Sequence, residues 1–221
     1  MPILQPVRGT YDILPEEMRA HRHVIDTART VAACYGYDEM STPVFEFTEI
    51  FKRSLGDTSD VVTKEMYTFS TKGGEQITLR PEATAGIARA FISGGLANQL
   101  PLKFFYTGPM FRYERPQKGR QRQFHQIDVE ALGYPGPDVD GELIALSARL
   151  WARLGLTGLR LQINSLGTPE SRLGYRQALL AFLAAHRGAL DADSLRRLRE
   201  NVRRLGDDTP SLAPSANWSK L

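Results

Sequence analysis

The sequence predicts an α+β fold in which an antiparallel sheet is flanked by helices, and three observations point there. Segments with strand character dominate as far as about residue 164, with helical stretches set between them. Strand-like segments follow one another through short polar turns, as antiparallel neighbours do. From Thr168 onward the strand pattern gives way to helical periodicity.

The first helix opens at Leu14-Pro15-Glu16-Glu17, where an early proline and acids in the first turn both favour a start. Ile25, Ala28, Ala32 and Tyr35 fall on one stripe, and Gly36 closes it. Tyr37 to Phe47 reads as extended chain interrupted by Pro43, which marks an edge, a strand end or a subunit contact. Strands are predicted over Lys64–Phe69 and Gln76–Arg80, joined by a turn at Lys72-Gly73-Gly74. Pro81 opens a helix of small residues from Glu82 to Ile92, ended by Gly94-Gly95. A strand over Lys103–Thr107 is predicted to break at Gly108-Pro109, and another runs from about Gln121 to Leu132 across the loop Arg115–Arg120. A helix over Gly141–Leu154 takes Asp140 as its cap, and Leu159–Asn164 reads as a further strand. Helices follow from Thr168 to Arg187 and from Asp191 to Leu205, and the Pro/Ser-rich stretch from Gly206 to Leu221 has little periodicity.

Composition narrows the class. The 221 residues are 42% hydrophobic and 24% charged, which suits one large globular domain or one domain and part of another. No apolar run approaches the length of roughly 18 residues that a membrane span needs, and the first residues lack the layout of a secretory signal, so a cytoplasmic location is expected. The single cysteine, Cys34, excludes an intramolecular disulfide and is expected to be a small core residue. No metal site is expected, and His125 is expected to be a packed sheet residue. No Gly-rich phosphate loop of the Walker or Rossmann kind occurs.

The net charge of +3 matters less than where the cations lie. Arg112, Arg115, Lys118, Arg120 and Arg122 surround one acid, Glu114, and arginine forks bind phosphate oxygens and stack on flat rings. In the strand that follows, alternation puts Arg122, Phe124, Gln126, Asp128 and Glu130 on one face and Gln123, His125, Ile127, Val129 and Ala131 on the other. Gln126 and Glu130 would lie roughly 13 Å apart, a span suited to a polar ligand with separated contact points. A half-exposed strand beside a solvated basic loop is the plainer alternative. Leu79-Arg80-Pro81-Glu82-Ala83-Thr84 places a carboxylate and a hydroxyl at a helix start, where they serve either a ligand or the helix dipole.

Taken together, Tyr106–Arg120 with Gln123-Phe124-His125-Gln126, Arg8-Gly9-Thr10-Tyr11-Asp12 and Arg80–Ala85 resemble the histidyl-tRNA synthetase family of class II aminoacyl-tRNA synthetases. The resemblance covers about residues 5 to 200. It implies a catalytic core over 1–166, the start of a helical insertion over 167–205 and an irregular tail over 206–221. It further implies ATP and histidine as substrates, Mg2+ with the nucleotide, the cognate histidine tRNA as partner and a homodimer. Carried over, Arg112 acts at the reacting phosphate and the substrate carboxylate. Arg112, Glu114 and Arg120 hold ATP, while Glu82, Ala83, Thr84, Gln126 and Glu130 line the histidine pocket. Ala83 stands where the family usually has glycine. A second histidine-specific motif, a third class-defining motif and an anticodon-binding domain are not found, so weak or absent turnover is expected. Two other readings compete: a non-catalytic paralogue like the regulatory subunit of ATP phosphoribosyltransferase, which resembles the same core, and a dimerisation fragment without chemistry.

Overall fold

In the computed structural model, residues 4–56, 59, 61–164, 167–192 and 194–195 are described. The chain divides into two compact units, one ending at Leu159 and the other beginning at Arg160.

The first unit carries two three-stranded sheets. One has the order β1–β5–β6, formed by Asp38–Glu39, Leu102–Phe111 and Gln123–Leu132. The other has the order β2–β4–β3, formed by Phe45–Phe47, Gln76–Leu79 and Tyr67–Ser70. The pairings are antiparallel except for the short β1, which runs parallel to β5 through Asp38↔Phe104 and Glu39↔Phe105. Helices α1 (Pro15–Cys34), α2 (Thr48–Leu55), α3 (Thr84–Ser93) and α4 (Asp138–Arg153) accompany them. The mixed α+β class is the one the strand and helix signals predict.

The alternation along β6 sorts the first sheet into two faces. Ile127 and Val129 pack with buried Phe105, Ala28, Val31, Ala32, Tyr37 and Leu146 of the α1/α4 side. Phe104, Tyr106, Met110 and Phe124 face the opposite way, packed with Ala83 and Ile87 at the start of α3. The apolar stripe of α1 thus has its predicted partner, and removal of these side chains from water drives the layer together. Cys34 is exposed rather than buried, because the helix ends there and the stripe passes through Ala32 and Tyr35. His125 is also exposed, with its ring set edge-on to His21 at 5.1 Å.

Several boundaries differ from expectation for identifiable reasons. β5 does not break at Gly108-Pro109 but runs on to Phe111. The main chain of its odd-numbered residues faces away from β6: Phe105 O accepts from Met40 N–H, and Phe111 N–H donates to Arg80 O. Pro109 therefore lacks an N–H on an edge where β1 has already ended, and no ladder bond is lost. Lys64–Met66 is not strand, since Val61–Glu65 forms a π-helical turn and β3 starts at Tyr67. Helix α4 starts at Asp138 with Pro137 at the cap, which places Asp140 inside the helix. The eight-residue helix α2, which the sequence analysis does not anticipate, follows β2 with no intervening residue.

In the second unit, α5 (Pro169–Ala185) starts as expected, with the Thr168 hydroxyl accepting from Ser171 N–H at 3.2 Å. Arg160–Asn164 makes no strand pairing, and neither does Leu159 just before it; Leu159, Leu161 and Ile163 are exposed. The helix expected over Asp191–Leu205 extends beyond the described residues, and the tail from Gly206 lies wholly outside them.

Arg80 holds the two sheets to one another. Its side chain is buried and donates to Pro109 O at 2.9 Å, Thr42 O at 2.9 Å and Pro43 O at 3.3 Å, and its guanidinium lies 4.9 Å from the centre of the Tyr106 ring. Hydrogen bonds from a charged donor contribute about 1.5–3 kcal/mol each, and orphaned buried acceptors add a penalty. Arg80→Met is therefore expected to lower the unfolding free energy by about 3 kcal/mol or more in urea titration; a midpoint and slope equal to the parent chain would contradict the clamp. Cys34 is expected to react with a thiol reagent in the native chain at close to the rate of a free thiol, and protection until denaturant is added would show the site to be closed.

Candidate functional site

The face of the first sheet that looks toward α3 is built from cross-strand pairs. Phe104↔Glu130, Tyr106↔Asp128, Gly108↔Gln126 and Met110↔Phe124 stand opposite one another on β5 and β6. The apolar members lie mainly on β5 and the polar ones on β6, so the polar row rests on a dry floor. Gly108 is required here: a Cβ at this position would meet the Tyr106 hydroxyl at 2.6 Å and the Arg80 guanidinium at 2.7 Å. Tyr106 and Met110 are fully buried beneath the row.

The segment Arg80–Thr84 crosses the end of this face. Pro81 O accepts from Arg112 Nε at 2.9 Å, and the Arg112 guanidinium lies 5.1 Å from the centre of the Phe124 ring. The arginine is thus aimed by a carbonyl on one side and a ring on the other. Glu82 accepts from Ala85 N–H at 3.0 Å, which is the helix-start role its position allows. Thr84 reaches instead across to β6 and donates to Glu130 at 2.5 Å. Ala83 is buried, its methyl packed in the apolar layer beneath, so the side chain that stands where the family has glycine is accommodated in packing.

Carboxyl groups crowd this face. Burial raises the Glu130 carboxyl, Thr84 opposes that rise and the charge of Glu82 adds to it. Asp128 is pushed up to about 6, chiefly by burial, then by Glu130 and Glu82, with Arg112 opposing. Asp128 Oδ2 and Gln126 Oε1 are both shut off from solvent and have no hydrogen-bond partner among the described residues. Buried polar atoms without partners are uncommon, and they concentrate at sites that meet a ligand or a proton.

The basic loop is arranged differently from the row. Arg120 pairs with Glu114 at 3.0 Å and is largely exposed, in a hairpin turn closed by the Gln117↔Arg120 bridge. Arg122 is drawn away from the polar row. Its guanidinium stacks 4.0 Å from the centre of the Tyr113 ring and donates to Glu114 O and Arg8 O. Gly9 O accepts from Arg122 N–H at 2.7 Å, and Gly9 adopts φ +87° with the Arg122 side chain where its Cβ would be. The amino-terminal Arg8-Gly9 segment therefore acts as a strap over the loop.

Arg112, Glu82, Thr84, Gln126 and Glu130 are thus gathered on one face and its rim, while Glu114 and Arg120 form a separate pair in the adjoining hairpin. Sequence reasoning missed Arg80, Tyr106 and Gly108 as supports and placed Asp128 on the polar face without singling it out. An arginine between a strand and a proline, and a glycine inside a strand, were the available signals. An open hollow of about 240 Å3 lined by Asp26, Thr27, Thr30, Val31 and Arg153 shares no residue with this group. We assign it no role, because its lining carries no convergent polar geometry.

Residues 9–210 match the family described as histidyl-tRNA synthetase. The histidine–tRNA ligase of Rhodospirillum rubrum is 61% identical over 208 residues, which is 94% of this chain and 50% of that protein. The histidine–tRNA ligase of Gluconacetobacter diazotrophicus is 52% identical over a similar share. Among solved structures, apo histidyl-tRNA synthetase of S. aureus superposes with a TM-score of 0.68 at 37% identity, covering 89% of this chain and 46% of that one. A chain from Bacillus halodurans described as an ATP phosphoribosyltransferase regulatory subunit/histidyl-tRNA synthetase gives 0.63 at 27% identity, covering 71% of this chain and 39% of that one. The chain spans about half the length of the curated relatives it matches. On the extent of the family match and the identity to these ligases, the chain belongs to the histidyl-tRNA synthetase family.

Proposed function

We propose that this chain carries the amino-acid and nucleotide contacts of a histidine–tRNA ligase. In that reaction a carboxylate oxygen of histidine attacks the α-phosphorus of ATP, the bond to the β-phosphate oxygen breaks, and pyrophosphate leaves. The resulting adenylate passes histidine to the 3′ end of its tRNA. The observation that carries the reading is the single sheet face on which an aimed arginine, Arg112, acts on the Asp128 carboxyl, which also feels the carboxylates of Glu130 and Glu82. A zwitterionic amino acid needs such opposed charges, one to meet its carboxylate and others to meet its cationic nitrogens.

In this reading Arg112 spreads the charge that develops on the α-phosphate and orients the attacking carboxylate, so its contribution is position and field rather than proton transfer. Its bond to Pro81 O fixes Nε and leaves the outer guanidinium edge to the substrates. Glu82, Ala83 and Thr84 receive the α-amino end, with Gln126 and Glu130 serving the rest of the amino acid. Glu114 and Arg120 hold the nucleotide, and their mutual ion pair has to open for a triphosphate to take the guanidinium. Among the described residues no three His, Cys, Asp or Glu side chains are grouped to hold a metal ion. Magnesium, which the family implies, would enter with the nucleotide as co-substrate, and no step is routed through it.

By likeness to the family we further propose a catalytic core over 1–166, the opening of a helical insertion over 167–205, a histidine tRNA as partner, a homodimer and a cytoplasmic location. The exposed Phe45 and Phe47 on the edge strand β2 are consistent with a second copy covering that edge. Among the described residues no helix is long and apolar enough to cross a membrane. A second reading, as a regulatory subunit that binds histidine without activating it, draws on the description of the Bacillus halodurans chain. The self-paired Arg120 is compatible with it.

Calorimetric titration of the purified chain separates these. L-Histidine and ATP are each expected to bind. Glu130→Gln should weaken histidine about tenfold or more, as loss of a charge-assisted hydrogen bond does, and Arg112→Ala should weaken ATP by a similar factor. Histidine binding with no ATP binding would favour the regulatory reading, and binding of neither would overturn both.

A further inference from the structure

Of the polar row on β6, the carboxyl of Asp128 is the one group that neither the helix start nor a neighbouring hydroxyl accounts for. Glu130 is engaged by Thr84, and Glu82 by Ala85 N–H. Asp128 Oδ2 has no donor, and two residues earlier on the same strand face Gln126 Oε1 has none either. Both atoms are closed to solvent. Each of these buried acceptors, two residues apart on one face of β6, lacks a hydrogen donor. Leaving a buried acceptor without a donor costs about 1–3 kcal/mol, more for a charged one. The buried cross-strand partner Tyr106 makes no hydrogen bond to Asp128 Oδ2.

We propose that Asp128 is a third carboxyl of the amino-acid pocket and accepts a hydrogen bond from a protonated nitrogen of the bound amino acid. The proposal rests on the pocket reading given above and adds a residue to it. In the ligand-free chain Asp128 itself can carry the missing hydrogen below about pH 6, where burial and the neighbouring carboxyls of Glu130 and Glu82 favour its protonated form. When the amino acid enters, its N–H replaces that proton, which leaves to solvent. The groups that face Asp128 fit the exchange. Glu130 on the same strand and Glu82 before α3 disfavour its ionised form, Arg112 after β5 favours it, and buried Tyr106 stands opposite. An incoming cation would favour ionisation further.

The sign of the linkage is fixed by the upward displacement from 3.8 to about 6. Folded chain holds this proton more tightly than unfolded chain, so the stabilisation is complete below pH 3.8 and is lost as pH rises through about 6. Asp128→Asn removes the effect. Relative to the variant, the unfolding midpoint of the ligand-free parent chain is expected to fall as pH is raised across that window.

The direct test is calorimetric titration of L-histidine at pH 6 in two buffers of different ionisation enthalpy, with parent chain, Asp128→Asn, Asp128→Ala and Glu130→Gln. Comparison at one pH cancels the titration of histidine's own imidazole. The parent is expected to release up to about half a proton more per histidine bound than Asp128→Asn, since Asp128 is about half protonated at that pH, and Asp128→Ala should bind about tenfold more weakly. Both variants should keep the cooperative melt of the parent. A parent and Asp128→Ala with equal affinity and equal proton release, while Glu130→Gln is weakened, would overturn the role of Asp128 and leave the pocket standing. A parent chain that binds no histidine would overturn both.

Discussion

Arg80 is a buried cation held by main-chain carbonyls, with Thr42 and Pro43 on one side and Pro109 on the other. Its own backbone continues the bridge, donating to Val44 O ahead of β2 and accepting from Phe111 N–H at the end of β5. A strand edge left open beyond β1 is thereby closed without another strand. Because the next residue is Pro81, whose carbonyl accepts from Arg112, the same five-residue crossing that joins the sheets also sets the direction of Arg112. Fold and site share this one constraint. Displacement of Arg80 would release β5, Pro81 and the start of α3 together.

What the crossing makes possible is a dry floor under a polar row. Tyr106 and Met110 exclude water from below, Gly108 leaves the space that Tyr106 and Arg80 need, and the carboxyls of β6 sit above a medium that screens charge poorly. Asp128 and Glu130 resist ionisation there for the same physical reason. A cationic ligand would offset that resistance, which is the physical basis of the amino-acid pocket proposed above.

Much of this was legible beforehand where the physics is local. The face assignment of β6 followed from strict alternation, and Ile127 and Val129 do pack on the core while Gln126, Asp128 and Glu130 share the other side. The stripe of α1 and the Pro169 start of α5 were equally readable. The errors arose where tertiary partners decide. Pro109 looked like a strand break because the sequence does not show that its missing N–H faces an edge closed by Arg80. Cys34 looked buried because composition does not say where a helix stops relative to its neighbours. Leu159–Asn164 has strand alternation but no pairing in the structure. Arg120 belonged to the basic run by sequence, yet its place in a self-paired hairpin depends on Glu114 and the local turn.

The surface proposed to bind the amino acid is the α3-facing side of β5 and β6. Titrating L-histidine into the isotopically labelled chain and following backbone amide shifts examines that surface residue by residue. Changes concentrated at Thr84, Arg112, Gln126, Asp128 and Glu130, with little at α1 and α4, are the predicted outcome. Shifts centred instead on Asp26, Thr30 and Arg153, or spread evenly with none at β6, would contradict it.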